Sequence, residues 1–454
     1  MATAALHSLT YLEPSALTSS PDRAALGLQT SGGRTPAGAV ANPTFFRGFV
    51  TNPAVAAAGL LAVADVAAAR YYDPKRVASL DPVVTANGDR LRFESFSGCG
   101  GVHARLDVLP DGLDGETGHG TTNVDVNAPL REALAKLTAG NPLHLTVGPD
   151  ELAVATLGDR VVEKKVPLPE RWLRGFAETQ VIAAEFELRA EVRAGEAVRF
   201  LRGLPRGRTG ARGGQWVVAA GGQLRITTRP VPGAVCLPGP QRLGALHQVL
   251  RHALSLRLYG PTADGELQSA AWEIALPGMR LTLTLSPEAG RGFSGEGAVL
   301  AALSDPETES DAELLSVLLA WDPRIEVRDL AVQSGLTPAR TRAALTRLGV
   351  DGRIGYDIAE AAYYHRELPY AVGRAERHNP RLRSARELVA AGAVRLDPAS
   401  PEFADVRTEF GDHRVRLDTA NRYTCTCRWW AEHRGRRGPC SHALAVRIVR
   451  NTEK

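Results

Sequence analysis

Four residues near the end of the chain constrain its folding more tightly than anything else in it. In YTCTCRWWAEHRGRRGPCSH, residues 423–442, Cys425 and Cys427 are one residue apart, Cys440 and His442 are one residue apart, and twelve residues separate the pairs. Three thiolates and one imidazole make a complete tetrahedral set for zinc, which binds such donors at about 2.0–2.3 Å. A disulfide between Cys425 and Cys427 would be strained. A catalytic zinc keeps one position for water, so the filled set points to one structural ion per chain and to no catalytic residue. The flanks agree. ADVRTEF and HRVRLDT (404–419) read as two strands around Gly411, and ALAVRIVR after His442 has helical spacing. A unit this small cannot bury an adequate core, so the metal supplies much of its stability.

CxC followed by CxH, with a strand pair before and a helix after, resembles the SWIM zinc finger. Cys425, Cys427, Cys440 and His442 match all four of its ligand positions, and the resemblance places the finger at 400–454. The chain as a whole resembles bacterial SWIM zinc finger family proteins. The resemblance implies a module that binds DNA or proteins, without an enzymatic activity of its own.

The spacer holds Arg434, Arg436 and Arg437. Zinc with three thiolates and a neutral imidazole carries a formal charge of about −1, which nearby arginines would offset. However, residues 421–450 contain seven arginines and one acidic residue, Glu432. Two readings therefore stand: an RGRR loop that grips phosphates, or a solvated basic loop. Trp429 and Trp430 either stack on bases or pack around the metal.

A second motif precedes the finger. Residues 312–358 show three helical patterns and a strand. Leu314, Leu315, Leu318 and Leu319 mark the first helix. Val327, Leu330 and Ala331 mark the second, which stops at Gly335. Thr337 is a good N-cap and Pro338 a good first residue for the third. This order resembles the winged helix-turn-helix of bacterial regulators, whose second helix of the pair enters the DNA major groove. Arg340, Arg342 and Arg347 would then be DNA-contacting residues, because arginine pairs with phosphates and guanine edges. The winged-helix-like domain is placed at 291–372. PETESDAE (306–313) reads as an acidic linker, GFSGEG (292–297) as a tight turn without the ending of a P-loop, and His365 as structural.

The rest reads as α+β. Residues 1–45 are rich in Ser, Thr, Gly, Pro and Ala and are expected to form a loosely ordered leader. Residues 46–290 show strands at 88–96, 102–109 and 142–148. Strand–helix–strand–strand order recurs at 121–156, 186–230 and 235–286, and it resembles the repeating unit of sliding clamps. Asp125, Glu94 and Asp107 are carboxylates there that no spacing singles out. AVAAAGLLAVADVAAA (54–69) is too short to span a bilayer and carries Asp65, so it reads as a buried helix after an Asn52–Pro53 cap.

Five cysteines in 454 residues are not a disulfide framework. Cys99 and Cys236 are expected to be buried and inert. The first twenty residues lack the basic start and compact apolar stretch of a signal peptide. A cytoplasmic protein is expected, with no membrane contact. Only five of the 54 basic residues are lysine, the mark of GC-rich bacterial coding. A net charge of +4 over this length argues for nucleic acid only where it clusters. The expectation is a multidomain zinc protein that binds DNA or another nucleic acid, or is recruited to a nucleic-acid-handling complex. A protein–protein adaptor is the alternative.

Overall fold

The computed structural model describes residues 9–19, 24–73, 75, 79–137, 142–149, 163–165, 170–205, 214–261, 267–290, 292–293, 296–369, 379–419, 422–435 and 437–452. Its helices are α1 (Pro53–Ala68), α2 (Ala128–Lys136), α3 (Glu170–Ala183), α4 (Ala194–Gly203), α5 (Glu296–Leu303), α6 (Pro306–Leu318), α7 (Val327–Ser334), α8 (Pro338–Val350), α9 (Pro380–Ala390), α10 (Arg428–His433) and α11 (Ser441–Thr452).

A ten-stranded antiparallel sheet organises the first half of the chain. Its inner strands Val83–Asn87, Leu91–Phe96, Val102–Val108 and Met279–Leu285 are buried at every residue. Because side chains alternate along a strand, one face is apolar, with Leu91, Phe93, Ala104, Leu106, Leu281 and Leu283. α1 packs on it, and its small residues allow close approach. A Cβ at Gly59 would lie 2.7 Å from Leu106 Cδ1. α1 is buried, as expected, and no described helix is long and apolar enough to cross a membrane. Pro53 starts it, but the Asn52 side chain makes no cap hydrogen bond.

The opposite face of the same strands carries Arg92, Glu94, His103, Arg105, Asp107 and Arg280, all buried. Charged groups reach an interior only when paired. The partners arrive from far along the chain, on the hairpin Ile354–Asp357/Ala362–His365. Asp357 faces Arg280 at 2.8 Å, Arg105 at 3.2 Å and Arg92 at 3.6 Å. Glu94 meets Arg366, the Tyr364 hydroxyl at 3.2 Å and His103 at 3.2 Å. Burial opposes ionisation of Asp357, yet Arg105, Arg280 and Arg92 hold its carboxyl well below the usual range. Of the three carboxylates noted in the sequence, Glu94 thus helps hold the hairpin to the sheet, and Asp107 pairs with the sheet's own Arg92, Arg105 and Arg280. The third, Asp125, accepts the Ser15 N–H at 2.7 Å.

His365 is structural, as expected. Its Nδ1 accepts the Trp321 N–H at 2.8 Å, and its ring lies on Trp321. Burial, then Arg353, pushes it down to about 3. A histidine held neutral in the folded state protonates first in the unfolded chain. Stability is therefore expected to fall as pH drops below about 6.5, the unperturbed histidine value. Part of that slope should vanish in His365→Gln. Urea titration at pH 7 and pH 5 measures it, and an identical pH dependence in the variant would exclude His365 as its source.

The described residues 9–19 and 24–45 are not a loose leader. Ala24–Leu28 pairs on both sides within a five-stranded sheet, parallel to Leu143–Val147 and antiparallel to Ala16–Ser19. Ala24, Leu26 and Leu28 point into the core on alternate positions. Small residues hid that period in the sequence. Residues 1–8 and 20–23 lie outside the described residues.

Strand–helix–strand–strand order is observed at Glu187–Arg193, α4, Trp216–Ala220 and Gln223–Thr227. At 121–156 a strand, α2 and the strand Leu143–Val147 follow in turn, and residues 150–156 lie outside the described residues. The third segment uses 3-10 helix over Pro240–Gln248 and Leu250–His252 instead of an α-helix. The strand His119–Asn123 and the strand Leu143–Val147 belong to different sheets, a division that order along the chain does not encode.

Boundaries also moved. α3 belongs with the later helices, because Ala177 and Val181 share a core with Val299, Leu300 and Val350. PETESDAE is the first half of α6, capped by Asp305, and is not a linker. Ser294 and Gly295 of GFSGEG lie outside the described residues.

Candidate metal centre

A four-stranded antiparallel sheet ends the chain, ordered Val394–Leu396, Phe403–Thr408, Gly411–Leu417, Tyr423–Cys425. The strand pair read from the sequence is its centre, and the sheet begins at Val394, before the expected boundary at 400. Alternation puts Ala404, Val406, Val415 and Cys425 on the inner face, where α11 contributes Ala443 and Val446. Cys425 ends the last strand. Cys427 sits at the N-terminus of α10, where its sulfur accepts the Trp430 N–H at 3.4 Å. Cys440 sits at the N-terminus of α11, where its sulfur accepts the Ala443 N–H at 3.4 Å. His442 is the second residue of α11.

The donor atoms of Cys425, Cys427, Cys440 and His442 lie within 4.8 Å of one another. Cys425 Sγ and His442 Nδ1 are 3.8 Å apart, near the S···N edge of about 3.6 Å that tetrahedral Zn–S and Zn–N bonds of about 2.3 and 2.0–2.1 Å give. All three cysteines are buried and free of disulfides. The Cys440 thiol is held down to about 4, chiefly by a hydrogen bond from Cys425, and Cys425 is pushed far up by the same contact. The His413 ring lies 4.2 Å from that of His442 and backs the ligand.

The loop between the ligand pairs is held in place rather than free. Arg381 of α9 donates to the carbonyls of Arg437 at 2.6 Å and Pro439 at 2.8 Å. The Trp429 ring carries the Arg381 guanidinium at 4.7 Å and that of Arg437 at 5.1 Å. Trp429 and Trp430 pack against the finger's core. Arg437 is therefore occupied by packing. Arg434 is exposed in a left-handed conformation, φ 45°, at the end of α10. Arg436 lies outside the described residues.

Arg340 on α8 is exposed although paired, while Arg347 is mostly covered. Arg340 makes a two-pronged contact with Asp311 at 2.7 and 2.9 Å. Arg347 faces Asp351 at 3.4 Å and Glu309 at 3.5 Å. Arg342 is exposed, without an ion pair among the described residues. Thr337 does cap α8, accepting the Arg340 N–H. The acidic stretch read as a linker supplies Asp311 and Glu309. α3, α5, α6 and α7 all pack on α8, and Gly349 lets Gln180 of α3 lie against it.

The sequence reading missed Arg395, Arg407, Arg414 and Arg416 around Phe403, all on the outer face of the finger's sheet. A signal existed. If Cys425 points inward, its cross-strand partner Val415 does too, and the flanking arginines must point out.

The site defines a closed Cys3His module that joins a strand end and two helix starts, supporting one structural zinc. Residues 413–451 match the family model of the SWIM zinc finger, and the chain's C-terminal segment is such a finger. No curated protein matches the chain. Among solved structures, proliferating cellular nuclear antigen from Entamoeba histolytica is similar over 54% of this chain and 98% of that one, at 9% identity and a TM-score of 0.34. A likeness at that level carries no argument about architecture or function.

Proposed function

We propose that this protein binds nucleic acid through the outer face of its zinc-held sheet, acts in the reducing cytoplasm and is not an enzyme. One observation carries the reading. Arg395, Arg407, Arg414 and Arg416 share that face with Phe403, against Asp405 and Asp412. The Arg414 guanidinium lies 4.5 Å from the Phe403 ring centroid and that of Arg416 5.7 Å. Arginines beside an aromatic ring suit a phosphate backbone and an unstacked base together. The zinc supports this face indirectly. Cys425 fixes the register of the last two strands, and a slip of one residue would turn Arg414 and Arg416 inward. Four protein donors leave no position for a reacting water, which supports a role without catalysis.

In this reading α6, α7, α8 and the hairpin form a winged-helix-like module that bridges the sheet and the finger. Its arginines are spent largely on α6, which favours bridging over groove reading.

Binding to labelled oligothymidylate is expected to weaken steeply with salt. Each phosphate contact on a single strand contributes about 0.7 to the log–log slope, so Arg414→Ala/Arg416→Ala should lower the slope by about 1.4. Phe403→Ala should cost about 1–3 kcal/mol if a base stacks there. An unchanged slope in a folded, zinc-loaded double variant would remove this face from the binding site. Affinity insensitive to salt in the wild type would favour the adaptor reading.

A further inference from the structure

The inner face of the finger's sheet is only partly covered by α11. Beyond the zinc end, a cavity of about 660 Å³ opens between them. Leu396, Leu417 and Tyr423 form its apolar floor, and Arg447 and Arg450 of α11 stand over it. Leu417 and Tyr423 are cross-strand partners. Arg395 and Arg416 point to the other side of the same strands, so the cavity and the basic face lie on opposite sides of one sheet.

The charges around the cavity are unevenly satisfied. Asp397 accepts the N–H groups of Ala399 at 3.0 Å and Ser400 at 3.2 Å, and faces Arg414 at 3.5 Å. Asp305 accepts the Glu307 N–H at 3.1 Å, capping α6. Both carboxylates are thus engaged. Arg450 donates to the carbonyls of Pro401 at 2.5 Å and Phe403 at 3.4 Å, which leave its charge uncompensated. Arg447 makes no hydrogen bond or ion pair among the described residues, and its recorded electrostatic neighbour is Tyr423. Two guanidiniums without a carboxylate therefore overhang an apolar floor about one helical turn long.

We propose that this groove docks a segment of a partner protein that carries a carboxylate beside a bulky apolar side chain. The apolar side chain covers Leu396, Leu417 and Tyr423, and the carboxylate takes Arg447 and Arg450 in charge-assisted hydrogen bonds. A nucleic-acid backbone could meet the arginines but would leave the two leucines uncovered, so the floor favours a peptide. The proposal goes beyond nucleic-acid binding, and both ligands can be held at once because they occupy opposite faces.

Selection of a display library of random ten-residue peptides on the full-length, zinc-loaded protein tests it. Sequences with Asp or Glu next to Leu, Phe or Trp should be enriched. Affinity for the best of them should fall at least tenfold in Arg447→Glu and less in Arg447→Ala. It should be unchanged in Arg416→Ala, which separates this site from the basic face. Equal melting temperatures would show that both Arg447 variants fold. Enrichment of basic or purely polar peptides, or no enrichment, would overturn the proposal. So would an acidic–apolar peptide that binds Arg447→Glu as tightly as wild type, or oligothymidylate binding that is lost in Arg447→Glu and kept in the Arg414/Arg416 variant.

Discussion

Cys440→Ser is expected to release the metal and to open the helical core behind the finger along with the finger itself. The finger's own interior has few aliphatic side chains beside its three cysteines: Ala404, Val406, Val415, Ala443 and Val446. Zinc contributes about 10–16 kcal/mol in isolated finger peptides at neutral pH, more than such a core can supply. One face of α11 closes that interior, but its Leu444 and Ala445 sit in another core, with Val181 of α3, Leu300 of α5, Val350 of α8 and Leu382 of α9. Arg381 adds a second tie between α9 and the loop ahead of Cys440. When the start of α11 is released, both cores lose a wall. Metal content should fall from about one ion per chain to none. Amide exchange should accelerate in α9 and α11 and at the end of α8, while the ten-stranded sheet stays protected. If α9 keeps its protection as the finger exchanges freely, the cores are not coupled.

Asp357→Ala should cost about 3–5 kcal/mol, the range for removing one partner of a buried ion pair. Arg92 and Asp357 are 0% exposed, and Arg105 and Arg280 are 5% and 9% exposed. Without the carboxylate, three guanidiniums crowd one another around Asp107, with Glu360 reaching only Arg280 among them. The hairpin should leave the sheet, taking Tyr364 and Arg366 away from Glu94. Linkage gives a second check. The Asp357 carboxyl is held down in the folded state, so its contribution is present above the unfolded value of about 3.9 and is lost as pH falls below it. Asp357→Asn should therefore flatten the acid limb of the stability curve below about pH 4. Chemical denaturation of both variants across pH 2.5–7 measures this. A variant that kept wild-type stability at pH 7 would show that the hairpin is held by packing alone.

PETESDAE was misread as a linker, and its pairing with Arg340 and Arg347 was missed, each for a locally reasonable cause. PETESDAE has linker composition, and Arg340 and Arg347 have the look of exposed recognition residues. Only when α6 and α8 are packed side by side do Asp311 and Glu309 meet those arginines. The first strands were missed for a related reason. AALGL carries a two-residue period of burial, but its outer positions, Ala25 and Gly27, are small rather than polar, and one of its two partner strands lies more than a hundred residues away. By contrast Cys99, Cys236, His365 and the Thr337 cap were legible, because each depends on local chemistry or on a side chain with few alternatives in an interior.

The sequence by itself determined the metal centre. Four donors of the right kind, at spacings that a strand end and two helix starts can satisfy, leave zinc little freedom and leave catalysis no open position. It also determined where most strands and helices lie, since those follow from periodicity and caps. Tertiary structure alone decided which arginines are available. Arginine is equally at home on a surface, in an ion pair or over an aromatic ring, and only the neighbours choose. Arg437 went to Trp429, Arg340 to Asp311, and Arg92, Arg105 and Arg280 to Asp357. Arg416 stayed on an open face, with Arg414 beside it facing Asp397, because the zinc ligand across the strands pointed the other way.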